Sequence, residues 1–167
     1  MKRACIGIFI AGLLSASTLI AAPIHTAAKK GDLAKIQGLV KAKPELVSLK
    51  NPDGETPLHC ACAAGQKAVV EFLLSNGADV RACDGEGMTP LHHAATATEP
   101  AVISLLLEKG AEIDARDSEG VTPLLVAIAG GELKPVQLLL DAKADAKAVD
   151  KAGLAALHYA AGDGESE

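Results

Sequence analysis

The chain has 167 residues, of which 49% are apolar and 2% aromatic, and it carries a formal net charge of −5 at pH 7. This charge predicts an acidic surface that repels phosphate backbones, and we expect no basic patch of the kind that nucleic-acid binding requires. A core of Leu, Val, Ile and Ala with almost no large rings favours closely packed short helices over a β-sandwich or barrel.

The first 22 residues have the order of segments that is typical of a secretory signal peptide. Two basic residues are followed by an apolar run at 6–14 and by a stretch of small residues at 15–22. This order predicts export, with cleavage between residues 17 and 22. The alternative is an uncleaved membrane anchor over 4–22, which the hydroxyl residues near its end disfavour.

Removal of this leader, residues 1–22, leaves 145 residues and, with the loss of two basic side chains, a net charge of −7. That length is sufficient for one domain with a sizeable core. No later stretch is long and apolar enough to span a bilayer, so we expect no membrane contact after cleavage.

A motif of four residues recurs every 33 residues along the mature chain. Its copies are T-P-L-H at 56–59 and 89–92, T-P-L-L at 122–125 and A-A-L-H at 155–158. Glycines at 77 and 110 keep the same phase, and Lys143 replaces the third of them. An upstream copy starts with P-I-H at 23–25, one residue out of phase. Phased copies of this kind are the signature of a repeat architecture.

The 33-residue unit, with T-P-L-H, an alanine-rich helix, V-V-x-x-L-L and G-A-D, closely resembles the ankyrin repeat. The resemblance covers essentially the whole mature chain, 23–167, as one repeat domain. It implies an all-α solenoid of stacked helix-turn-helix units with β-hairpin-like turns between them. The repeats are expected at about 22–50, 51–83, 84–116 and 117–149, with a partial repeat at 150–167.

The start of each unit can be explained from its own residues. Thr56 is placed to cap a helix with its hydroxyl, and Pro57 follows at the first helical position, where a missing N–H costs nothing. His59 is the third residue of that helix, so its imidazole can bond to Thr56 or to the backbone of the adjoining turn. Gly65 suits the left-handed residue that ends the helix. Neither helix of a unit is long enough to be stable alone, so stacking is required.

Four positions depart from the repeat. Thr98 stands where other copies have glycine, which predicts a strained turn between two helices. Lys143 stands at a position that usually takes a left-handed residue. Pro100 and Pro135 align within the first turn of a second helix, where proline is tolerated.

The mature chain has three cysteines. Cys60 and Cys62 align with apolar or small residues of the first helix, so we expect both to be buried as packing residues. Two positions apart on a helix, they cannot easily bond to each other. Cys83 lies on the turn between repeats, where we expect it to be exposed. An odd number of thiols leaves open one internal bond, intermolecular pairing or three reduced thiols.

The alternative interpretation of the cysteines and nearby histidines is a metal or redox site. It would use Cys60, Cys62, Cys83, His92 and His93. It lacks C-x-x-C spacing, and its histidines come from the next repeat, about 10 Å away by ordinary helix packing. Motifs of hydrolases, phosphate loops and zinc proteases are also missing, so we predict no enzyme activity, no catalytic or metal residues and no cofactor.

The resemblance implies protein binding through the turns and first helices, which line a concave face. The residues free of the repeating pattern there are Asp53, Glu55, Cys83, Gly85, Glu86, Met88, Arg116, Ser118, Glu119, Val121, Lys151 and Leu154. Together they form an acidic rim with apolar points at Met88, Val121 and Leu154, which predicts a basic protein partner. Glu55, Glu86 and Glu119 are the glutamates expected to form this rim. Few Trp, Tyr and Arg residues are present, so we expect modest affinity. We also expect the chain to be a monomer.

Three functions follow from these expectations. The first is an exported interaction scaffold that holds or regulates a periplasmic protein. The second is a secreted effector that binds a host protein, and the third is the metal or thiol-redox protein described above. The first two place the chain in the periplasm or outside the cell.

Overall fold

The computed structural model of the chain describes residues 18–97 and 99–161, with side chains from residue 23 onward. Within these residues the chain is built from short helices. They are α1 (Thr18–Lys30), α2 (Leu33–Ala42), a 3-10 helix (Pro44–Ser48), α3 (Pro57–Ala63), α4 (Lys67–Ser75), α5 (Pro90–Ala95), α6 (Pro100–Glu108), α7 (Pro123–Ala129), α8 (Leu133–Asp141) and α9 (Ala156–Ala160). None of the helices in the described ranges has the length and apolar character to cross a membrane.

The helices alternate between two layers. The inner layer consists of α1, α3, α5, α7 and α9, each packed against the next, and α2, α4, α6 and α8 form the outer layer in the same way. Each outer helix also packs against the inner helix of its own repeat. The only β pairing in the described residues is one isolated bridge between Val149 and Ala155. The predicted all-α solenoid is therefore confirmed.

Leucines at one position of the motif form the core of the inner layer. Leu58, Leu91 and Leu124 are each at most 1% exposed because the following repeat covers them. Full burial of such a side chain contributes roughly 2 kcal/mol. The repeat period therefore places one equivalent apolar contact at every interface.

The inner helices α3 and α5 begin with the same hydrogen-bonded cap. The Thr56 N–H donates to His59 Nδ1 at 3.1 Å, and the Thr56 hydroxyl oxygen lies 2.8 Å from the same nitrogen. Thr89 and His92 repeat these contacts at 3.0 and 2.9 Å. The predicted bond between His59 and the capping threonine is confirmed.

The departures from the repeat are accommodated as predicted where the structure describes them. Helix α6 begins at Pro100, and Pro135 is the third residue of α8, so both prolines lie in a first turn. Gly65 and Lys143 both adopt a positive φ, of 66° and 71°. Lys143 is the only non-glycine residue with this conformation in the described part of the chain. Thr98 lies outside the described residues.

The first repeat differs from the others at both of its ends. Helix α1 starts at Thr18, five residues before the predicted domain boundary, and continues through Pro23. After α2 the chain forms the 3-10 helix instead of a turn closed by glycine. Residues 1–17 lie outside the described part, so leader cleavage stays a prediction.

Candidate functional site

A hairpin-like turn connects each repeat to the next, and an Asn or Asp residue begins it. In the turn at Asp84, the Asp84 backbone N–H donates to the Met88 carbonyl at 3.0 Å. Asp84 Oδ1 also accepts the N–H groups of Glu86 and Met88, both at 2.9 Å. Asp117 makes the same pair of bonds in the following turn. One oxygen of each recurring carboxylate is therefore used to close its own turn.

Successive turns are joined edge to edge by backbone hydrogen bonds. These bonds run from Gly85 N–H to Asp53 O (2.8 Å), from Ser118 N–H to Glu86 O (2.9 Å) and from Lys151 N–H to Glu119 O (2.8 Å). The approach is close, because a Cβ added at Gly54 would lie 2.5 Å from the Gly85 nitrogen. We call this series of bonds the turn ladder, and it fixes the register of all four turns.

The turn ladder aligns three carboxylates. Asp53, Glu86 and Glu119 supply its accepting carbonyls, so they occupy the same place in consecutive turns, and all three residues are exposed. Because packed helices are about 8–10 Å apart, we expect equivalent positions of neighbouring repeats to be separated by roughly 10 Å. We call these three residues the acidic row. Alanine at the next equivalent position, Ala152, ends it.

Glu55 does not lie in the acidic row, although the sequence suggested a rim of Glu55, Glu86 and Glu119. It aligns instead with Met88, Val121 and Leu154, and it is half-buried. Its Oε2 accepts a hydrogen bond from Asn51 Nδ2 at 2.7 Å and lies 3.6 Å from the Cys60 sulfur. A side chain held in this way supports the turn and is less available to a partner.

His93 connects Glu55 to the turn that begins at Asp84. Its Nε2 lies 2.8 Å from Asp84 Oδ2, and its Nδ1 lies 4.0 Å from Glu55 Oε1. Burial raises the pKa of the Asp84 carboxyl, but the hydrogen bonds from His93 and from the backbone N–H groups of Glu86 and Met88 outweigh it. The pKa of Asp84 is therefore below its ordinary value, and the carboxylate is a stable acceptor.

His59 fastens the inner helix α3 to the next turn. Because Nδ1 accepts the Thr56 N–H, the proton is on Nε2, which donates to the carbonyls of Ala82 (3.1 Å) and Met88 (3.2 Å). Burial, followed by the nearby His93, lowers the pKa of His59 to about 4. The ring is therefore neutral and structural, as its place in the motif predicts.

The buried cysteines are packing residues. Cys60 and Cys62 are free thiols inside the core. Burial raises the pKa of both thiols. The Glu55 carboxylate adds to this effect at Cys60, whose pKa rises to about 12. A thiol that does not ionise is a poor nucleophile and a poor metal ligand.

Cys83 is half-buried, whereas the sequence predicted an exposed thiol. It has a bonding partner of its own and is not a third free thiol. His92 is engaged by Thr89 and by the Val121 carbonyl, and His93 by Asp84. Within residues 18–97 and 99–161, no group of His, Cys, Asp and Glu side chains could hold a metal ion. The geometry gives the metal or redox interpretation no support.

Basic side chains near the turns join one repeat to the next. Arg116 donates to the carbonyls of Gly120 (3.0 Å) and Val149 (2.6 Å), and Lys151 Nζ donates to the Ser118 carbonyl. These were predicted as partner-binding residues. Sequence reasoning missed this role, although the partners Arg116 and Val149, and Ser118 and Lys151, are each 33 residues apart.

Of the remaining predicted residues, Met88 and Val121 are half-buried, and Gly85, Ser118 and Leu154 are exposed along the turns.

Comparison with protein families identifies this architecture. Sequence profiles described as "Ankyrin repeats (3 copies)" and "Ankyrin repeats (many copies)" match residues 24–117 and 105–160. The chain belongs to the ankyrin repeat family. Ankyrin repeats are protein–protein interaction scaffolds and generally have no enzyme activity, so the exposed turns and inner helices form the candidate binding surface.

Curated relatives share only a short segment with this ankyrin-repeat chain. The NAD-capped RNA hydrolase NUDT12 of Homo sapiens is 35% identical over 36% of the chain, and the probable 26S proteasome regulatory subunit p28 of Saccharomyces cerevisiae is 34% identical over 37%. The palmitoyltransferase akr1 of Aspergillus oryzae is 41% identical over 35%. The matches span 13%, 27% and 8% of these relatives.

Proposed function

We propose that the chain is an exported scaffold that holds or regulates a basic protein through the acidic row. The observation that carries this proposal is the turn ladder, because it aligns Asp53, Glu86 and Glu119 on consecutive exposed turns. A partner that presents Lys or Arg side chains at the repeat spacing would meet three carboxylates at once. Next to the row lie the half-buried side chains of Met88 and Val121 and the exposed side chain of Leu154.

The expected affinity is modest and salt-dependent. An exposed ion pair contributes about 0.2–1 kcal/mol, so three pairs supply specificity and speed of association more than binding strength. Spacing of about 10 Å is comparable to the Debye length at physiological salt, and added salt should therefore weaken the contact. Among residues 23–161 the only aromatic side chains are Phe72 and Tyr159, which limits the number of hot-spot contacts.

Charge reversal on the acidic row tests the proposal. The variant Asp53→Lys, Glu86→Lys, Glu119→Lys would be immobilised beside the unchanged protein, and both would be used to capture proteins from the native envelope fraction. We expect a protein retained by the unchanged chain to be absent from the variant. Urea denaturation of the variant would show that the repeat stack is retained.

A matched control carries the same change of charge on the opposite face. Glu71, Glu108 and Asp141 are exposed on the outer helices α4, α6 and α8. Their joint change to lysine should leave the capture unaffected. Capture that survives in the acidic-row variant, or that is lost equally in the control, would contradict the proposal.

Export is tested separately by cell fractionation. The order of basic, apolar and small residues in 1–22 supports a periplasmic location. We expect a processed pool in the periplasm. A pool found only outside the cell would instead favour a secreted effector that binds a host protein.

A further inference from the structure

The first repeat is basic, although the chain as a whole is acidic. Residues 23–50 carry six lysines and two acidic side chains, a net charge of +4, whereas residues 51–167 carry eight basic and nineteen acidic side chains, a net charge of −11. All six lysines are exposed. Within the described residues none of them forms an ion pair. The overall charge therefore conceals a cationic end of the solenoid.

A groove lies on the outer surface of this basic repeat, between α2 and α4. Its volume is about 440 Å³. Val40, Pro44 and Phe72 provide apolar walls, and Gln37, Lys41 and Asn76 provide polar ones. The groove is open to solvent and not enclosed, so it suits a projecting side chain of a partner better than a small ligand.

The lining of the groove is particular to the first two repeats. The chain passes from α2 into the 3-10 helix Pro44–Ser48, where later repeats have a turn closed by glycine or Lys143. Phe72 stands where the third and fourth repeats have Leu105 and Leu138. The groove is therefore separate from the turns and inner helices that form the candidate binding surface.

We propose that this groove binds an acidic segment of a partner protein, with one large apolar side chain of that segment inserted against Val40 and Phe72. Lys41 is on the rim, where it can pair with a carboxylate that flanks the inserted side chain. Gln37 adds an amide donor beside it, whereas Asn76 Nδ2 already donates to the Phe72 carbonyl at 2.8 Å. Lys41 at the groove and the net charge of +4 on the first repeat favour an acidic partner, although Lys50 Nζ lies at the turn, where it donates to the Cys83 carbonyl at 2.7 Å. The concave shape favours a projecting side chain over a flat membrane surface.

A fluorescent peptide tests this assignment. The probe has a single Leu flanked by Glu residues, and the control peptide has Ala in place of that Leu. Anisotropy should show tighter binding of the Leu peptide and weaker binding as salt is raised. Lys41→Glu should weaken binding by at least ~3-fold, in line with the loss and reversal of an exposed pair. Lys134→Glu, on the exposed side of α8, is the matched control and should bind as the unchanged protein does.

A second variant tests the apolar wall. Phe72→Leu introduces the residue of the equivalent positions 105 and 138, so the repeat should still fold. It should weaken binding of the Leu peptide and leave the Ala peptide unaffected. The acidic-row variant should bind both peptides normally, which separates this site from the proposed function.

Three results would overturn the assignment. The first is equal binding of the Leu and Ala peptides, and the second is unchanged binding in both Lys41→Glu and Phe72→Leu. The third is a preference for another occupant. Binding to phosphatidylglycerol vesicles without binding to the peptide would assign the surface to a membrane. Self-association in sedimentation that Lys41→Glu abolishes would assign it to a second copy of the chain.

Discussion

The repeat motif is buried in the middle of the solenoid, whereas its copy near the C-terminal end is exposed. Leu91 of T-P-L-H is fully buried, whereas Leu157 of A-A-L-H is 79% exposed. His92 is buried and bonded to the Val121 carbonyl at 3.1 Å. His158 is exposed, and within the described residues its imidazole accepts only the Ala155 N–H, at 3.0 Å. Burial of the motif is therefore supplied by the repeat that follows it.

The turns behave differently, because their geometry is preserved at the C-terminal end. Asp150 Oδ1 accepts the Leu154 N–H at 2.9 Å, as Asp84 does for Met88. Asp150 Oδ2 also accepts the Tyr159 hydroxyl at 2.8 Å, in the place where Asp84 meets His93. The geometry of the turn depends on its own residues, whereas burial of the helical motif depends on the repeat that follows it.

Truncation of the motif leucine gives the largest expected difference between the two regions. Leu91→Ala should lower the free energy of unfolding by about 2–5 kcal/mol, because it removes buried methyl groups and leaves a cavity. Leu157→Ala should change it by less than about 0.5 kcal/mol, as is usual for an exposed position. Urea denaturation of both variants measures the difference. Equal losses would mean that α9 is covered in solution.

Acid should weaken the middle of the solenoid through His59. Its pKa is about 4 in the folded chain and 6.5 when unperturbed, so between these values the unfolded state binds a proton that the folded state does not. The contribution of His59 to the free energy of unfolding is complete above pH 6.5 and is lost as the pH falls toward 4. It amounts to about 3 kcal/mol at 1.36 kcal/mol per pKa unit.

Two variants separate buried His59 from exposed His158 when their free energies of unfolding are measured across the same range of pH. His59→Leu should reduce the slope of stability against pH, and Leu125 at the equivalent position indicates that the fold tolerates the change. His158→Leu, at the exposed end, should leave the slope as it is. Buried His92, whose pKa is also lowered by burial, would account for the slope that remains. An unchanged slope in His59→Leu would contradict the assignment.

The stack and its helix starts could be predicted from the sequence because they depend on nearby residues and on a fixed period. Thr56, Pro57 and His59 form the cap within one turn of helix, and the 33-residue phase places Leu58 under the next copy. The same period also aligns Asp53, and not Glu55, with Glu86, and this was overlooked when Glu55 was assigned to the acidic rim. The bond from the Gly85 N–H to the Asp53 carbonyl shows the register directly.

Contacts that depend on side-chain packing were also missed. The sequence assigned Arg116 and Lys151 to a partner, because nothing local indicates that they bond to a neighbouring turn. The basic first repeat was hidden by a net charge that averages it with an acidic remainder. The groove at Phe72 depends on how α2 and α4 pack, which the period alone does not specify.

The smallest expected effect concerns the closing residue of the outer helices, which is glycine in the middle and Lys143 near the end. Lys143 has a φ of 71°, and the equivalent Gly77 and Gly110 have 87° and 86°. A left-handed conformation is strained for lysine and free of strain for glycine, whereas glycine loses more entropy on folding. Lys143→Gly should therefore stabilise the chain by a net ~0.5–1 kcal/mol, measured as a higher urea midpoint.

The reciprocal change, Gly110→Lys, separates backbone strain from steric contact. A Cβ at Gly110 would meet only Arg81 Nη2, at 3.9 Å, so the new side chain has room. We expect a loss of about 1 kcal/mol from the positive φ, to which repulsion between the new lysine and the Arg81 guanidinium adds. If Lys143→Gly had no effect while Gly110→Lys destabilised the chain, the end of α8 would have to relax in solution. The C-terminal end would then differ from the middle in backbone conformation as well as in burial.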